Sequence, residues 1–387
     1  MELPVYLDHS ATTPVAPAVL EEMLPYFTER YGNASALYSV GMAAREGVEN
    51  AREILAAALH ASPDEIVFTS GGTEADNMAL RGAAEANPQR RHLLTTPIEH
   101  HAVLEPLERL QHQGYELEML PVDGDGRVDF AAAAQKLRSD TLLLSVMHAN
   151  NEIGTVQDIA AFGALCRAHG VLFHTDAVQS FGKLPIDVRK MQIDMLSLSG
   201  HKLHAPKGVG ALYVRRGTPL ARFMEGGAQE RGRRGGTLNV PGIVGLGKAT
   251  ELAQAQMVSE AVRLQELREW FFGRLAAVLP GVRICGSRVH RMPNNIHFCL
   301  EGVQGESVLL ALDAAGICAS AGSACSAGST EPSHVLKAIC VPRDQARGAL
   351  RLTMGASTDR PALEYVLETL TRTVAELRQL TGRVERD

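Results

Sequence analysis

No stretch of this 387-residue chain is apolar for long enough to cross a membrane. The opening residues, MELPVYLDHSATTP, have no basic start and no apolar run behind it, so no signal peptide is expected. A cytoplasmic location is the expectation that follows. There is no excess of positive charge. The formal net charge is −6, which removes any general argument for binding nucleic acid or an anionic membrane. Cysteine is sparse: Cys166, Cys285, Cys299, Cys318, Cys325 and Cys340. These form no CxxC pair and no zinc pattern, so by default no metal site is expected. A chain of this size in a reducing compartment needs no disulfides. Each cysteine is then a small core residue or a reactive thiol. No internal repeat occurs, and low complexity is confined to the small-residue run at 319–330.

What is present is ordinary in bulk. The chain is 45% hydrophobic and 21% charged, with length enough for a large core and two domains. Residues 1–40 read as loop-rich. Apolar residues at helical spacing follow from Gly41 to His60. Strands are expected over 65–69, 92–96, 116–122, 141–148, 171–174, 194–199 and 209–215, with helices between several of them. That alternation argues for an α/β domain with a largely parallel, seven-stranded sheet. A long helix over 243–279 would bridge to a smaller α+β domain, with strands at 295–300 and 349–354 and helices at 306–315 and 361–380. The domain limits are set at 1–255 and 256–387, with residues 1–20 packing on the smaller unit.

The chemistry gathers where the expected strands end, which is where α/β sheets hold their ligands. Ser70-Gly71-Gly72-Thr73 lies between a strand and a helix and offers backbone N–H groups suited to a phosphate, or is only a structural turn. Lys202 sits in Ser199-Gly200-His201-Lys202. A lysine that forms a Schiff base must lose its proton easily, so its surroundings must lower its pKa. Ser199 and His201 offer phosphate donors beside it. Lys207 is the rival amine and reads as structural or exposed. Asp176 would pair with a protonated pyridine nitrogen, or else caps a turn. Gln179 would donate to a ring oxygen, or else is a surface amide. His100 would lie over a ring face and move protons, although His101 beside it leaves that choice open. Together these residues are what an enzyme needs to hold pyridoxal phosphate. Arg351 interrupts an apolar strand and would grip a substrate carboxylate, or form a structural salt bridge. Cys325 lies among Gly, Ser and Ala, with nothing nearby in sequence to bury it. Such a thiol suits a nucleophile that visits a site and leaves it. Cys318 reads as core.

With these residues assembled, the chain resembles the group I (NifS/IscS-like) cysteine desulfurases of the class V aminotransferase family. YLDHSATTP, TSGGTEADN, IEHHAVLEPL, HANNEIGTVQDI, HTDAVQ, LSLSGHKLHAPKGVGALYVR, GGAQERGRRGGTLNVPGIVG and SAGSACSAGSTEPSHVL match family segments in order, over nearly the whole length. The resemblance implies a fold type I pyridoxal-phosphate enzyme that works as a homodimer. It implies that Lys202 binds the cofactor covalently. Gly72, Thr73, Ser199 and His201 would hold its phosphate. Asn151, Asp176 and Gln179 would position the ring, and His100 would stack on it. The residue matching Thr237 would reach the cofactor of the partner subunit. Asn33, Asn151 and Arg351 would bind L-cysteine. Cys325 would take the sulfur as a persulfide, leaving alanine, and would pass it to an iron–sulfur scaffold or another acceptor. During transfer Cys325 could ligate an iron–sulfur cluster. The chain departs from the family at Tyr38, where a histidine is usual. Its tail, Thr381–Asp387, does not closely resemble tails that grip a scaffold. Selenocysteine lyase and desulfurases of DNA or tRNA sulfur modification remain as alternatives, with a catalytically silent sulfur carrier or scaffold as the alternative of another class.

Overall fold

The computed structural model describes residues 4–321 and 332–380. The chain opens with a two-residue strand, β1 (Val5–Tyr6). Then β2 (Ile66–Thr69), β3 (His92–Thr95), β4 (Glu116–Met119), β5 (Thr141–Ser145), β6 (Leu172–Asp176), β7 (Met195–Ser199) and β8 (Gly210–Val214) form one sheet. Its spatial order is β2-β8-β7-β6-β5-β3-β4. Neighbours run parallel except β8, which is antiparallel to β2 and β7. The seven-stranded, mainly parallel sheet expected from the sequence is therefore present. Every residue of β5 (TLLLS) and β7 (MLSLS) is buried, as a sheet covered by helices on both faces requires. The Ser39–Leu59 helix lays Val48, Leu55 and Leu59 on one face. The Gly72–Ala86 and His101–His112 helices lay Met78, Leu80 and Leu107 on the other.

A second sheet follows. β9 (Val282–Ile284), β10 (Asn295–Leu300) and β12 (Ala349–Thr353) are antiparallel in the order β12-β10-β9, while β11 (Ile317–Cys318) pairs in parallel with β1. One face of the three-stranded sheet buries Phe298 and Leu350 against Phe271 and Leu363. A smaller cluster joins Cys285, Cys299 and Val335 to Ile98, Met147 and Ile153 of the first unit. The Val240–Val278 helix spans both cores. Its first part buries Ile243 and Leu246 with the large sheet, and its last part buries Phe271 and Leu275 with the small one. The N-terminal segment is divided: Val5 and Leu7 join the second core, Val15 and Val19 the first.

Several elements differ from expectation. Residues 1–40 contain helices at Pro17–Met23 and Pro25–Thr28. Each starts with proline at its first position, where proline is tolerated because the missing N–H has no intrahelical partner. Helices at Phe130–Lys136 and Ile159–His169 were not expected, nor were β9 and β11, which are too short to show a period. Strand β4 stops at Met119 rather than 122. Cys318 is only partly buried, because a two-residue strand at the rim does not enclose it. Among the described residues, no helix is long and apolar enough to cross a membrane.

Candidate active site

The parallel strands all present their carboxyl ends to one edge, and a cavity of about 270 Å³ opens there. Asp176 ends β6 and faces it. Its Oδ1 accepts a 2.8 Å hydrogen bond from the Val178 N–H. Burial raises its carboxyl to about pH 7, and the Asp76 carboxylate adds to the shift. No cation forms a salt bridge with Asp176 among the described residues. A buried acid without a cation fits a protonated ring nitrogen, which would return it to the carboxylate.

Ser199 ends β7, and the turn Gly200–Lys202 follows. Lys202 Nζ donates to the carbonyl of Ser10 and, at 2.6 Å, to that of Ala11. Burial lowers the amine to about 7, helped by repulsion from Lys183 and Arg351. A large share of it is therefore neutral near pH 7, as covalent binding to an aldehyde requires. Lys207 is exposed. The Gly72–Ala86 helix starts against the same cavity, with Gly72 and Thr73 in its first turn, where amides lack intrahelical acceptors. A Cβ on Gly72 would stand 2.6 Å from Val178 Cγ2. Glycine there lets the helix end approach the Asp176 loop. His201 shares the wall. Burial, with Lys202 and Lys207 adding, lowers its imidazole to about 4, so it is neutral. Its Nδ1 lies 3.2 Å from Thr12 Oγ1. Amide groups, a hydroxyl and an imidazole around one helix terminus suit a phosphate.

His100 caps the His101–His112 helix. Its Nδ1 accepts from the Ala102 N–H at 3.1 Å, which leaves the proton on Nε2. Burial first, then Lys202, lowers this ring to about 4. His101 instead turns toward His334, with ring centroids 4.9 Å apart. So the cavity receives His100. Gln179 Nε2 donates to the Ser10 carbonyl at 3.0 Å. Arg351, 1% exposed, reaches the cavity from β12. Its Nη1 donates to the Asn151 carbonyl at 3.0 Å and its Nη2 to Asp8 Oδ1 at 2.7 Å, while its Nε has no partner. Arg351 thus makes the salt bridge that is one of its two expected readings, and it also lines the cavity.

The structure brings together Gly72, Thr73, His100, Asn151, Asp176, Gln179, Ser199, His201, Lys202 and Arg351. Asn33 and Thr237 do not join them. Asn33 is exposed and caps its own turn, its Oδ1 accepting from the Ser35 N–H at 2.9 Å. Thr237 is exposed. Cys325 lies outside the described residues. Its flanks are described and meet the cavity wall: Ser320 pairs with Arg351 through both backbone groups, and His334 Nε2 lies 2.9 Å from the Glu99 carbonyl, next to His100. Sequence reasoning missed Ser10, Ala11, Asp76, Met147 and Val178 as lining residues, and Lys183 as a buried neighbour charge. Ser10, Ala11 and Asp76 do lie in segments that carry the resemblance. Asp76 is buried and its carboxyl is raised to about 7 by that burial.

Comparison with known proteins agrees with this geometry. The family model described as aminotransferase class-V matches residues 5–366. A cysteine desulfurase IscS of Dictyoglomus turgidum is 47% identical over 98% of this chain and 97% of its own length. One from Methanosarcina thermophila is 48% identical over 97% of this chain and 93% of its own. Among solved structures, a NifS-like protein superposes with a TM-score of 0.91 at 36% identity, covering 97% of this chain and all of that one. A structure of SspA in complex with cysteine gives 0.78 at 37% identity, covering 90% of this chain and 98% of that one. With the family model matching almost the whole chain and relatives this similar over more than nine-tenths of their length, the chain belongs to the class V aminotransferase family, in its cysteine desulfurase group.

Proposed function

We propose that the cavity binds pyridoxal 5′-phosphate and L-cysteine, and that Cys325 receives the substrate sulfur. The observation that carries this reading is the pairing, in one cavity, of a cation-free buried Asp176 with the low-pKa amine of Lys202. When bound, the cofactor supplies an electron sink for negative charge on substrate carbon. Asp176 holds the ring nitrogen protonated. Gly72, Thr73, Ser199 and His201 hold the phosphate, and Asn151 and Gln179 set the ring's tilt. His100 would line the ring's side of the cavity, with its proton on Nε2. Lys202 would hold the cofactor and could take and return a proton at Nζ. Arg351 orients the substrate carboxylate, with Asn33 and Asn151 on the substrate side. The Cys325 thiolate attacks the substrate sulfur. The carbon–sulfur bond breaks, a sulfur–sulfur bond forms, and the carbon takes a proton to give L-alanine. Ser320, five positions before Cys325, is fixed beside Arg351. Five extended residues span at most about 18 Å, so the thiol is within reach of the cavity.

The same reading includes a homodimer in which Thr237, absent from its own cavity, serves the cofactor of the partner subunit. It includes two lobes, 1–255 and 256–387, joined within the long helix. A cytoplasmic location and an iron–sulfur scaffold as acceptor complete it. The test is intact mass after incubation with L-cysteine. The holoenzyme should gain ~32 Da on Cys325 and release alanine. Cys325→Ser should keep the cofactor's absorbance and gain nothing. Unchanged sulfide release from Cys325→Ser would sink the proposal.

A further inference from the structure

Cys285, His297 and Cys299 meet on one face of the three-stranded sheet, on the strands behind Arg351. His297 and Cys299 are alternate residues of β10, so their side chains leave the same face. Cys285 directly follows β9, and its N–H donates to the His297 carbonyl at 3.1 Å. The strand pairing therefore sets Cys285 opposite His297. The two Sγ atoms stand 3.5 Å apart. A ligand atom from each of the three residues lies within 4.8 Å of the others. All three are buried, His297 at 0% exposure.

Two further observations point to a ligand. Both ring nitrogens of His297 are buried without an oxygen or nitrogen partner, and the side chain that the ring meets is the Cys285 thiol of the same group. A buried imidazole ordinarily satisfies at least one. Arg291 is also buried. It donates through Nη2 to the carbonyls of Ile153 and Cys285, yet its Nε and Nη1 make no bond. Among the described residues no carboxylate pairs with it. The guanidinium lies over the Phe272 ring, 5.2 Å from its centroid, and close to Cys285, where a buried cation without an anion favours thiolate.

The donor set selects the ion. Two sulfurs and an imidazole, with no carboxylate in the group, exclude magnesium, calcium and manganese. Metal–sulfur bonds of about 2.3 Å bring two ligating sulfurs to roughly 3.7–4.0 Å, within a few tenths of an ångström of the observed separation. The surroundings are apolar: Ile153, Val335, Leu336 and Ile339. No fourth His, Cys, Asp or Glu joins the group among the described residues. Zinc takes four ligands in closed sites, whereas copper(I) is suited by soft thiolates. We propose that Cys285, His297 and Cys299 form a buried three-coordinate site for copper(I). Binding sends the two thiol protons to solvent and transfers no electron. The bound group carries one negative charge, with the Arg291 cation near its Cys285 end. His297 pairs in register with Arg351 on β12, so the site lies one strand behind the cavity. The sequence hid it because the spacing from Cys285 to His297 is no metal motif, and only the strand pairing sets them opposite each other.

The test uses holoenzyme carrying Cys325→Ser, so that the loop thiol cannot bind metal. The protein is titrated with copper(I) anaerobically against a copper(I) chelator, then gel-filtered. One equivalent should stay with the protein, and its X-ray absorption should show sulfur and nitrogen neighbours. Adding Cys285→Ser and Cys299→Ser should abolish retention. His297→Gln should weaken it at least tenfold, with cofactor absorbance and circular dichroism checking the fold of each variant. Adding Cys318→Ser and Cys340→Ser should leave it unchanged. No retained copper, equal retention by the His297→Gln variant, or loss of copper with Cys318 and Cys340 would overturn the proposal. Retention of zinc but not copper(I) would overturn the choice of ion.

Discussion

Asp8 Oδ1 accepts a 2.7 Å hydrogen bond from Arg351 Nη2, joining the two ends of the chain at the cavity wall. Arg351 is 1% exposed and holds one carboxylate already. A substrate carboxylate must share that guanidinium or compete for it. Arg351→Lys keeps the charge and loses the planar fork. Hydrogen bonds to charged groups contribute about 1.5–3 kcal/mol, so KM for L-cysteine should rise about 10- to 100-fold. An unchanged KM would detach Arg351 from substrate binding. Asp8→Asn leaves a buried cation without an anion. It should lower the melting temperature, and L-cysteine should restore more of that loss than it adds to the parent enzyme.

Lys202 predicts an uncommon pH dependence for the cofactor-free protein. Its amine is lowered from 10.5 to about 7 by burial, with Lys183 and Arg351 adding. Between those values the unfolded chain holds a proton that the folded chain does not. Stability therefore rises with pH across that window. Lys183, lowered to about 8 by burial, adds to the rise above pH 8. Lys202→Met should flatten the rise by on the order of a few kcal/mol. Urea midpoints measured from pH 7 to 10 decide it; a parallel profile in the variant would mean that Lys202 keeps its proton in the fold. The same variant should bind no cofactor covalently after borohydride treatment.

His100 has two duties that two substitutions separate. Its Nδ1 caps a helix, and its Nε2 carries the proton toward the cavity. Asparagine can cap in its place but cannot exchange a proton near neutral pH. His100→Asn should keep the melting temperature while kcat falls about 10²- to 10⁴-fold, the range for a lost general acid or base. His100→Ala should lose the same activity and, in addition, about 1 kcal/mol of stability. Equal kcat in His100→Asn and parent would reduce this residue to a cap. Because burial lowers the imidazole to about 4, the acid limb of kcat above pH 5 should not change with either variant.

The parts of the site that were legible in the sequence are those held close to a strand end. Asp176, Ser199 and Lys202 each lie at or just past a buried apolar strand, so their neighbours along the chain located them. The illegible parts depend on long-range pairing. Ser10 and Ala11 reach the cavity only because β1 pairs with β11 and His9 with Thr353. Lys183 looked like any surface lysine, yet its Nζ is enclosed without a partner. Asn33 and Thr237 were named through resemblance alone, and one chain does not bring them to its own cavity.

The glycine-rich loop yields the last prediction. Glu230 is buried beneath it, accepting from Arg52 Nη1 at 2.9 Å, from Arg52 Nη2 at 2.7 Å and from the Phe68 N–H at 2.8 Å. Glu230 and Arg231 both take positive φ, which side chains rarely adopt. The ion pair is what holds that turn against β2. A second tie, Arg234 Nε to Glu74 Oε1 at 2.8 Å, joins the loop to the first turn of the Gly72–Ala86 helix. Glu230→Gln leaves the buried Arg52 cation with only the half-exposed Glu49 as its anion, and removing one partner of a buried pair costs at most about 3–5 kcal/mol. Arg52→Met with Glu230→Leu removes both charges and should recover part of the loss, because burying the pair is itself unfavourable. Denaturant midpoints of the two single variants and the double variant give the coupling. If the loop also carries Thr237 to the partner subunit, Glu230→Gln should dissociate at higher protein concentration than its parent by sedimentation, whereas Arg234→Gln, which frees only the half-buried second tie, should shift that concentration less. Additive single effects would mean that the pair does not hold the turn.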